Sequence, residues 1–222
     1  MNKLCLLSLL VFNFSILTSS KIDDSSKFEL VQFTTEDSGT VEAAFFKAGS
    51  RKAVIFAHGA IFNKESWYFL AEKFQGQNVN ALAIDFRGYG NSKAGNTGKK
   101  MYDILGALSY LRNRGYDDIN IIGGSMGGAA VLSALSQTST PVSKVVLLAP
   151  AGGSPIKSEQ INKLFVVSKG EGLYKRVKAI YRESVDPKQI MEFPGNAHAQ
   201  HLFKSKYRDE LISLIIEFIG QR

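Results

Sequence analysis

Asp118-Ile119-Asn120-Ile121-Ile122-Gly123-Gly124-Ser125-Met126-Gly127-Gly128-Ala129-Ala130 is the stretch on which the reading of the whole chain turns. A short apolar run rich in isoleucine enters a glycine cluster that holds one serine, and an Ala/Leu-rich segment of helical character follows at once. The local reading is strand, tight turn, helix. Gly123, Ser125 and Gly127 satisfy G-x-S-x-G. Small residues flank the serine for a physical reason: where an incoming strand and an outgoing helix meet at a sharp bend, a Cβ is crowded. A glycine-rich turn beside a phosphate has a similar composition, so the meaning of Ser125 depends on what the rest of the chain brings to it.

Outward from that turn the pattern repeats. Ala53–Ala57, Ala81–Asp85, Val145–Ala149, Leu164–Val167 and Gln189–Phe193 are short runs, most of them apolar without polar alternation, as expected of strands buried on both faces of a parallel sheet. Helical spacing separates them over Glu65–Phe74, Met101–Arg114, Met126–Gln137 and Leu173–Glu183, and one long helix is expected from Gln200 to Ile219. In that last-but-one segment Leu173, Val177, Ile180 and Tyr181 share a face while Lys175, Arg176, Lys178 and Arg182 fall opposite, which predicts a sheet-packing helix with a basic solvent side. Ahead of these units, Phe28–Phe33 and Val41–Phe46 flank the turn-rich Thr34–Thr40, an antiparallel hairpin at a sheet edge. The expected fold class is α/β: a mostly parallel, doubly wound sheet of about eight strands behind that hairpin.

The composition fits one such domain. The chain has 222 residues, 45% apolar and 21% charged, ordinary for a globular protein. A net charge of +7 raises the question of nucleic acid, but the basic residues are scattered and no aromatic-interleaved basic stripe appears, so no nucleic-acid partner is expected. Residues 1–20 differ in kind. A positive start, a nearly continuous apolar stretch from Leu4 to Thr18 and the small residues Thr18-Ser19-Ser20 form the pattern of a secretory signal peptide. Residues 21–26 read as a short linker and 27–222 as the domain. A secreted or periplasmic protein is expected, with an uncleaved membrane anchor as the rival. The apolar stretch falls short of the roughly 20 residues that a span requires. Cys5 is the sole cysteine, so a cleaved chain would carry no thiol chemistry.

Ligands of open α/β sheets gather at the carboxyl ends of the strands. His58-Gly59-Ala60-Ile61, Asp85-Phe86-Arg87-Gly88-Tyr89-Gly90-Asn91-Ser92, the Ser125 turn and Pro194-Gly195-Asn196-Ala197-His198 all fall at such ends. Through H-G, D-x-R-G-x-G-x-S, G-x-S-x-G and P-G-x-x-H, in that order, the chain resembles the α/β-hydrolase superfamily from about Phe28 onward.

The resemblance implies a serine hydrolase in which Ser125 is the nucleophile, a histidine its base and a carboxylate the partner of that histidine. Among His58, His198 and His201, the P-G-x-x-H pattern selects His198, with His201 as the alternative. For the acid it points to Glu171, just past the Leu164–Val167 strand, with Asp186 as runner-up and Glu183 behind it; aspartate is commoner in the family there. The oxyanion donors it implies are the backbone N–H groups of Met126 and Ala60, with the His58 side chain and the Asp85–Ser92 loop as scaffold. About a dozen residues separate Gly152 from Leu164, a loop length with little room for a lid. The expectation is therefore a serine esterase without a cap domain, open to small ester or acyl substrates and needing neither metal nor organic cofactor. Phe62, Trp67, Tyr68 and Tyr89 are candidates to line it. Thioesterase or peptidase action on the same residues, or a non-catalytic binding protein, are the other expectations; oligomeric state is left open.

Overall fold

Eight strands form one sheet in the order β1-β2-β4-β3-β5-β6-β7-β8 in the computed structural model, which describes residues 27–220. The expected signal peptide and linker over residues 1–26, with Cys5, lie outside the described residues. β1 (Glu29–Thr34) and β2 (Thr40–Phe46) form the hairpin, and β2 also pairs antiparallel with β4 (Asn80–Ile84). β3 (Lys52–Ala57), β5 (Asp118–Gly124), β6 (Lys144–Leu148), β7 (Asn162–Ser168) and β8 (Lys188–Phe193) join β4 in a parallel array. The expected strands are all present, shifted by a residue or two at their ends.

The continuous apolar runs are continuous because both faces are covered. Every residue of β4 and of β6 is buried. Connections between parallel strands are right-handed, so α1 (Tyr68–Gln75), which steps from β3 to β4, lies on one face. The path from β4 onward steps the other way, and α2 (Met101–Arg112), α3 (Met126–Leu135) and α4 (Tyr174–Glu183) lie on the opposite face. α4 buries Val177 and Ile180 and leaves Lys175, Arg176 and Arg182 exposed, as its sequence pattern predicts, while Lys178 is half-buried and paired with Glu192 at 3.0 Å. Under the first face, Trp67 lies 5.4 Å from the Phe56 ring and 5.8 Å from Phe203, all three well buried. Each such side chain contributes roughly 1.5–3 kcal/mol relative to exposure. Residues 149–161, between β6 and β7, hold no helix or strand, so no cap domain is inserted there. No helix among the described residues is long and apolar enough to cross a membrane.

One expectation is corrected. The helix anticipated from Gln200 to Ile219 is broken into a 3-10 turn, Ala199–Lys204, and α5, Arg208–Gly220. Ser205 breaks it: its backbone is extended, and its hydroxyl donates to the Leu202 carbonyl at 2.7 Å and accepts the Tyr207 N–H at 3.1 Å. A serine that offers the backbone such local bonds competes with helix continuation. At the far end of α5, Lys144 Nζ and Lys52 Nζ donate to the Phe218 and Ile219 carbonyls at 2.8 and 2.9 Å, satisfying acceptors that a helix end leaves open.

A buried ionic cluster fixes the segment after β4. Arg87 forks onto Asp37, with Nη1 to Oδ2 at 2.6 Å and Nη2 to Oδ1 at 2.9 Å, and its Nε donates to Asp103 at 2.9 Å. All three residues are buried. The Arg87 hydrogen bonds, helped by Thr35 and Thr97, hold the Asp37 carboxyl far below the usual carboxylate range. Because its folded value is depressed, the contribution of Asp37 is complete above the unfolded value near 4 and is lost as pH falls through the folded one. Asp37→Asn is expected to cost about 3 kcal/mol at neutral pH. Denaturant unfolding of both proteins from pH 7 to pH 2 should show that difference shrinking below about pH 4; a difference unchanged with pH contradicts the assignment.

Candidate active site

Strand order reverses at β3, with β4 on one side and β5 on the other, and the loops that leave β3 and β5 meet above that point. Ser125 sits where β5 turns into α3, at φ 50° and ψ −110°, a conformation that costs a non-glycine residue on the order of 1–3 kcal/mol. The surroundings hold it there. Its N–H donates to the Leu148 carbonyl at 2.8 Å, and its own carbonyl accepts from Ala129 and Ala151, both at 3.0 Å. The flanking glycines are required by contact rather than by flexibility. A Cβ on Gly123 would lie 3.0 Å from the Gly128 Cα, and one on Gly127 only 2.3 Å from the Ala57 carbonyl oxygen. The first turn of α3 therefore presses directly against the backbone leaving β3, which sets Ser125 and Met126 beside the His58–Ala60 loop.

His198 arrives from the loop after β8. Its Nε2 stands 2.8 Å from Ser125 Oγ, and its Nδ1 pairs with Glu171 Oε2. The Glu171 side chain is 2% exposed, whereas the His198 ring is 37% exposed. The carboxylate is thus dry and fixed, while the ring can meet solvent or a substrate. The second Glu171 oxygen accepts the Ser168 N–H at 3.1 Å. The two loops are also tied to each other: Gly170 N–H donates to the Gly195 carbonyl at 2.7 Å and Ser168 Oγ to the Ala197 carbonyl at 2.6 Å. A hydroxyl, an imidazole and a carboxylate linked in this order can pass a proton from the hydroxyl to the ring as the oxygen attacks an electrophile.

The rival residues lie elsewhere. Asp186 precedes β8, which runs parallel to β7, so it is exposed at the edge of the sheet opposite Ser125. Glu183 is exposed at the end of α4. His201 lies in the 3-10 turn with its ring 5.3 Å from Phe62, and no hydrogen bond joins it to Ser125.

The Ala60 N–H and the Met126 N–H, both bordering Ser125, donate to no acceptor among the described residues. Their availability follows from what holds the neighbouring groups. His58 is fully buried. Its Nε2 accepts the Phe86 N–H at 3.1 Å, so its Nδ1 carries the proton and donates to the Gly59 carbonyl at 2.8 Å. Burial lowers the pKa of the ring against the opposing pull of the Gly59 carbonyl and Asp85, which keeps it neutral and in that tautomer. The Gly59 carbonyl also accepts the Phe62 N–H at 3.1 Å. Gly59 C=O and Ala60 N–H belong to one trans peptide and point in opposite directions, so anchoring the carbonyl fixes the N–H. Tyr89 Oη holds the next carbonyl, that of Ala60, at 2.8 Å.

Beneath this loop, Lys64 Nζ donates to Asp85 at 2.6 Å and to Glu42 at 2.9 Å. Burial pulls the ammonium down, but the Asp85 and Glu42 hydrogen bonds outweigh it and hold its pKa above the usual lysine value. Asp85 and Arg87 thus anchor the scaffold loop through side-chain ion pairs. Of the four aromatic candidates, Trp67 is fully buried and Tyr68 packs 4.8 Å from Phe28 and 5.3 Å from Phe46. Phe62 lines a hollow of about 460 Å³ with Gln200 and Phe203, and Tyr89 braces the loop. Among the described residues no group of three or more His, Cys, Asp or Glu converges on a metal position.

Two contributions go beyond the expectations from sequence. Tyr89, expected to line the site, also holds the Ala60 carbonyl. Gln200 was read as the first residue of a helix, yet it is 4% exposed and bonds to Gly59; only its place two residues past His198 could have drawn attention to it.

Comparison with known proteins places these observations. A family profile described as alpha/beta hydrolase fold matches residues 52–204. An esterase from Exiguobacterium antarcticum superposes with a TM-score of 0.71 at 12% identity, over 86% of this chain and 99% of that one. An esterase from Pyrococcus furiosus gives 0.72 at 20% identity, over 87% and 89%; at such identities the likeness is one of fold. Among curated proteins, the monoacylglycerol lipase abhd6-B of Xenopus laevis is 28% identical over 131 residues, 55% of this chain and 38% of its own. The uncharacterized protein YfhR of Escherichia coli O157:H7 is 27% identical over 132 residues, 54% of this chain. The chain spans less than half the length of these curated relatives, and 2% of the multifunctional-autoprocessing repeats-in-toxin of Vibrio vulnificus, with which it shares 40% identity over 86 residues.

Proposed function

The chain belongs to the α/β-hydrolase family, and on that premise we propose that it hydrolyses carboxylic esters through an acyl-enzyme formed on Ser125. Ser125 Oγ attacks the ester carbonyl carbon while His198 Nε2 takes the hydroxyl proton. The carbonyl oxygen, now negative, receives the N–H groups of Met126 and Ala60, which lie in place before the charge develops. The intermediate collapses as His198 returns its proton to the departing alcohol oxygen, leaving an acyl group on Ser125. Water then attacks the same carbon, with His198 again as base, and the acid departs with Ser125 restored. Glu171 accepts the Nδ1–H throughout and offsets the imidazolium charge. The observation that supports this reading is the unbroken chain from Ser125 Oγ through the His198 ring to a buried carboxylate.

The lack of a cap over residues 149–161 and the partly exposed His198 ring favour small acyl groups, since no cap closes over a long chain to take it out of water. Nitrophenyl esters graded by acyl length are the test. The kcat/KM for acetate or butyrate should exceed that for palmitate by roughly tenfold or more, because without a cap most of the added methylenes stay in water. A steep rise with chain length contradicts the open site, and absence of turnover across the series contradicts the esterase reading itself.

A further inference from the structure

Gln200 ties the loop that offers the Ala60 N–H to the segment that carries His198. Its Oε1 accepts the Gly59 N–H at 2.7 Å and its Nε2 donates to Ser66 Oγ at 2.8 Å. Ser66 Oγ in turn donates to the Asn63 carbonyl at 2.6 Å, so the serine has its acceptor role free for Gln200. Both amide heteroatoms are thus bonded, and the residue is dry, 4% exposed. It also fills the space between the two glycines that border Ser125. A Cβ on Gly59 would lie 3.3 Å from Gln200 Oε1, and one on Gly124 would lie 3.2 Å from Gln200 Cγ and Oε1.

The Gly59 N–H and the Ala60 N–H belong to successive peptides. His58 and Phe62 N–H anchor the Gly59 carbonyl and thereby the second of these peptides; Gln200 anchors the first. With both planes fixed, the Gly59 φ and ψ are set and the Ala60 N–H is held in one direction. The Gly59 N–H is itself occupied, which leaves the Ala60 N–H as the loop's donor toward Ser125. The residue between His198 and Gln200, Ala199, has φ 46°, an unfavourable conformation for alanine that turns the chain so that His198 faces Ser125 Oγ and Gln200 reaches Gly59.

We propose that Gln200 is a positioning residue that aligns the Ala60 N–H with the carbonyl oxygen of the substrate and keeps it in register with His198. The proposal rests on the ester-hydrolase reading, and its test separates the two. In Gln200→Met, similar in length but with neither amide group, kcat on a short nitrophenyl ester should fall roughly 10- to 100-fold. KM should stay within about twofold, since a donor engaged in the transition state contributes little to ground-state binding. The pH midpoint of kcat/KM should not move, because the His198 pair with Glu171 is untouched. Gln200→Glu, which keeps the acceptor for Gly59, should recover part of the loss. Hydrogen exchange of the Gly59 amide should accelerate in Gln200→Met and remain protected in Gln200→Glu, a readout independent of turnover. An unchanged kcat, a KM that rises in proportion, a shifted pH midpoint or an unaltered Gly59 exchange rate would each overturn the proposal. A wild-type protein without esterase activity whose Gly59 amide still responds would instead remove the functional reading and leave the clamp intact.

Discussion

Ser125→Ala is expected to lower kcat on a short nitrophenyl ester by about a millionfold and to abolish labelling by a fluorophosphonate. The side chain is the only group at the bend able to form the acyl bond, and the His198 Nε2 that faces it at 2.8 Å has no other partner among the described residues. The backbone strain at φ 50° is the same for alanine as for serine, so the variant should fold. Its unfolding midpoint should lie within a few degrees of the wild-type value, and any loss of activity then belongs to chemistry. Retention of more than a thousandth of the wild-type rate, or undiminished labelling, would show that another nucleophile operates.

Glu171→Gln is expected to lower kcat by about 10⁴-fold, and Asp186→Asn to leave it within about twofold, since exposed sites far from the reacting atoms rarely matter. The reason is specific to the hydrogen bonds at position 171. The Ser168 N–H holds one carboxylate oxygen at 3.1 Å, and in the amide variant it will hold the carbonyl oxygen. The NH₂ group then faces His198 and can only be met by a bare Nδ1. The ring would carry its proton on Nε2, the atom that must accept from Ser125, and the base would be in the wrong tautomer. Asp186 has no such relation to the ring, as it stands at the other edge of the sheet. Near-normal turnover in Glu171→Gln together with a large loss in Asp186→Asn would reverse the assignment.

Strands β3 to β7 were legible because each is buried in the middle of a sheet covered on both faces, and apolar continuity is the direct trace of that burial. Ser125 was legible because close contact at the bend excludes Cβ atoms, and glycines leave a visible mark. Choosing among Glu171, Asp186 and Glu183 needed the direction of the strands: a residue that follows β7 is at the Ser125 edge, whereas one that precedes β8 is at the other. Partnerships with no period and no motif were not legible. Gln200 lies 141 residues from Gly59 and Arg87 lies 50 from Asp37; Gln200 is in sequence merely a polar residue near a loop, and the motif that holds Arg87 does not say which carboxylates it meets. The expected long C-terminal helix failed for a related reason. Apolar spacing runs on through Leu202, Phe203, Leu211 and Ile212, but a single serine hydroxyl redirected the backbone between them.

The plain connection from β6 to β7 bears on how such a protein could diversify. Two points along it are committed: Ala151 N–H bonds to the Ser125 carbonyl, and Ile156 is buried, with its N–H on Ser184 Oγ. Between them Gly153 and Ser154 are exposed. Lengthening a flexible surface loop costs only about 0.6 kcal/mol for each doubling, so a segment added at that tip would leave every anchored group where it is. New selectivity could be acquired there by accretion, without any of the residues proposed for the chemistry having to change.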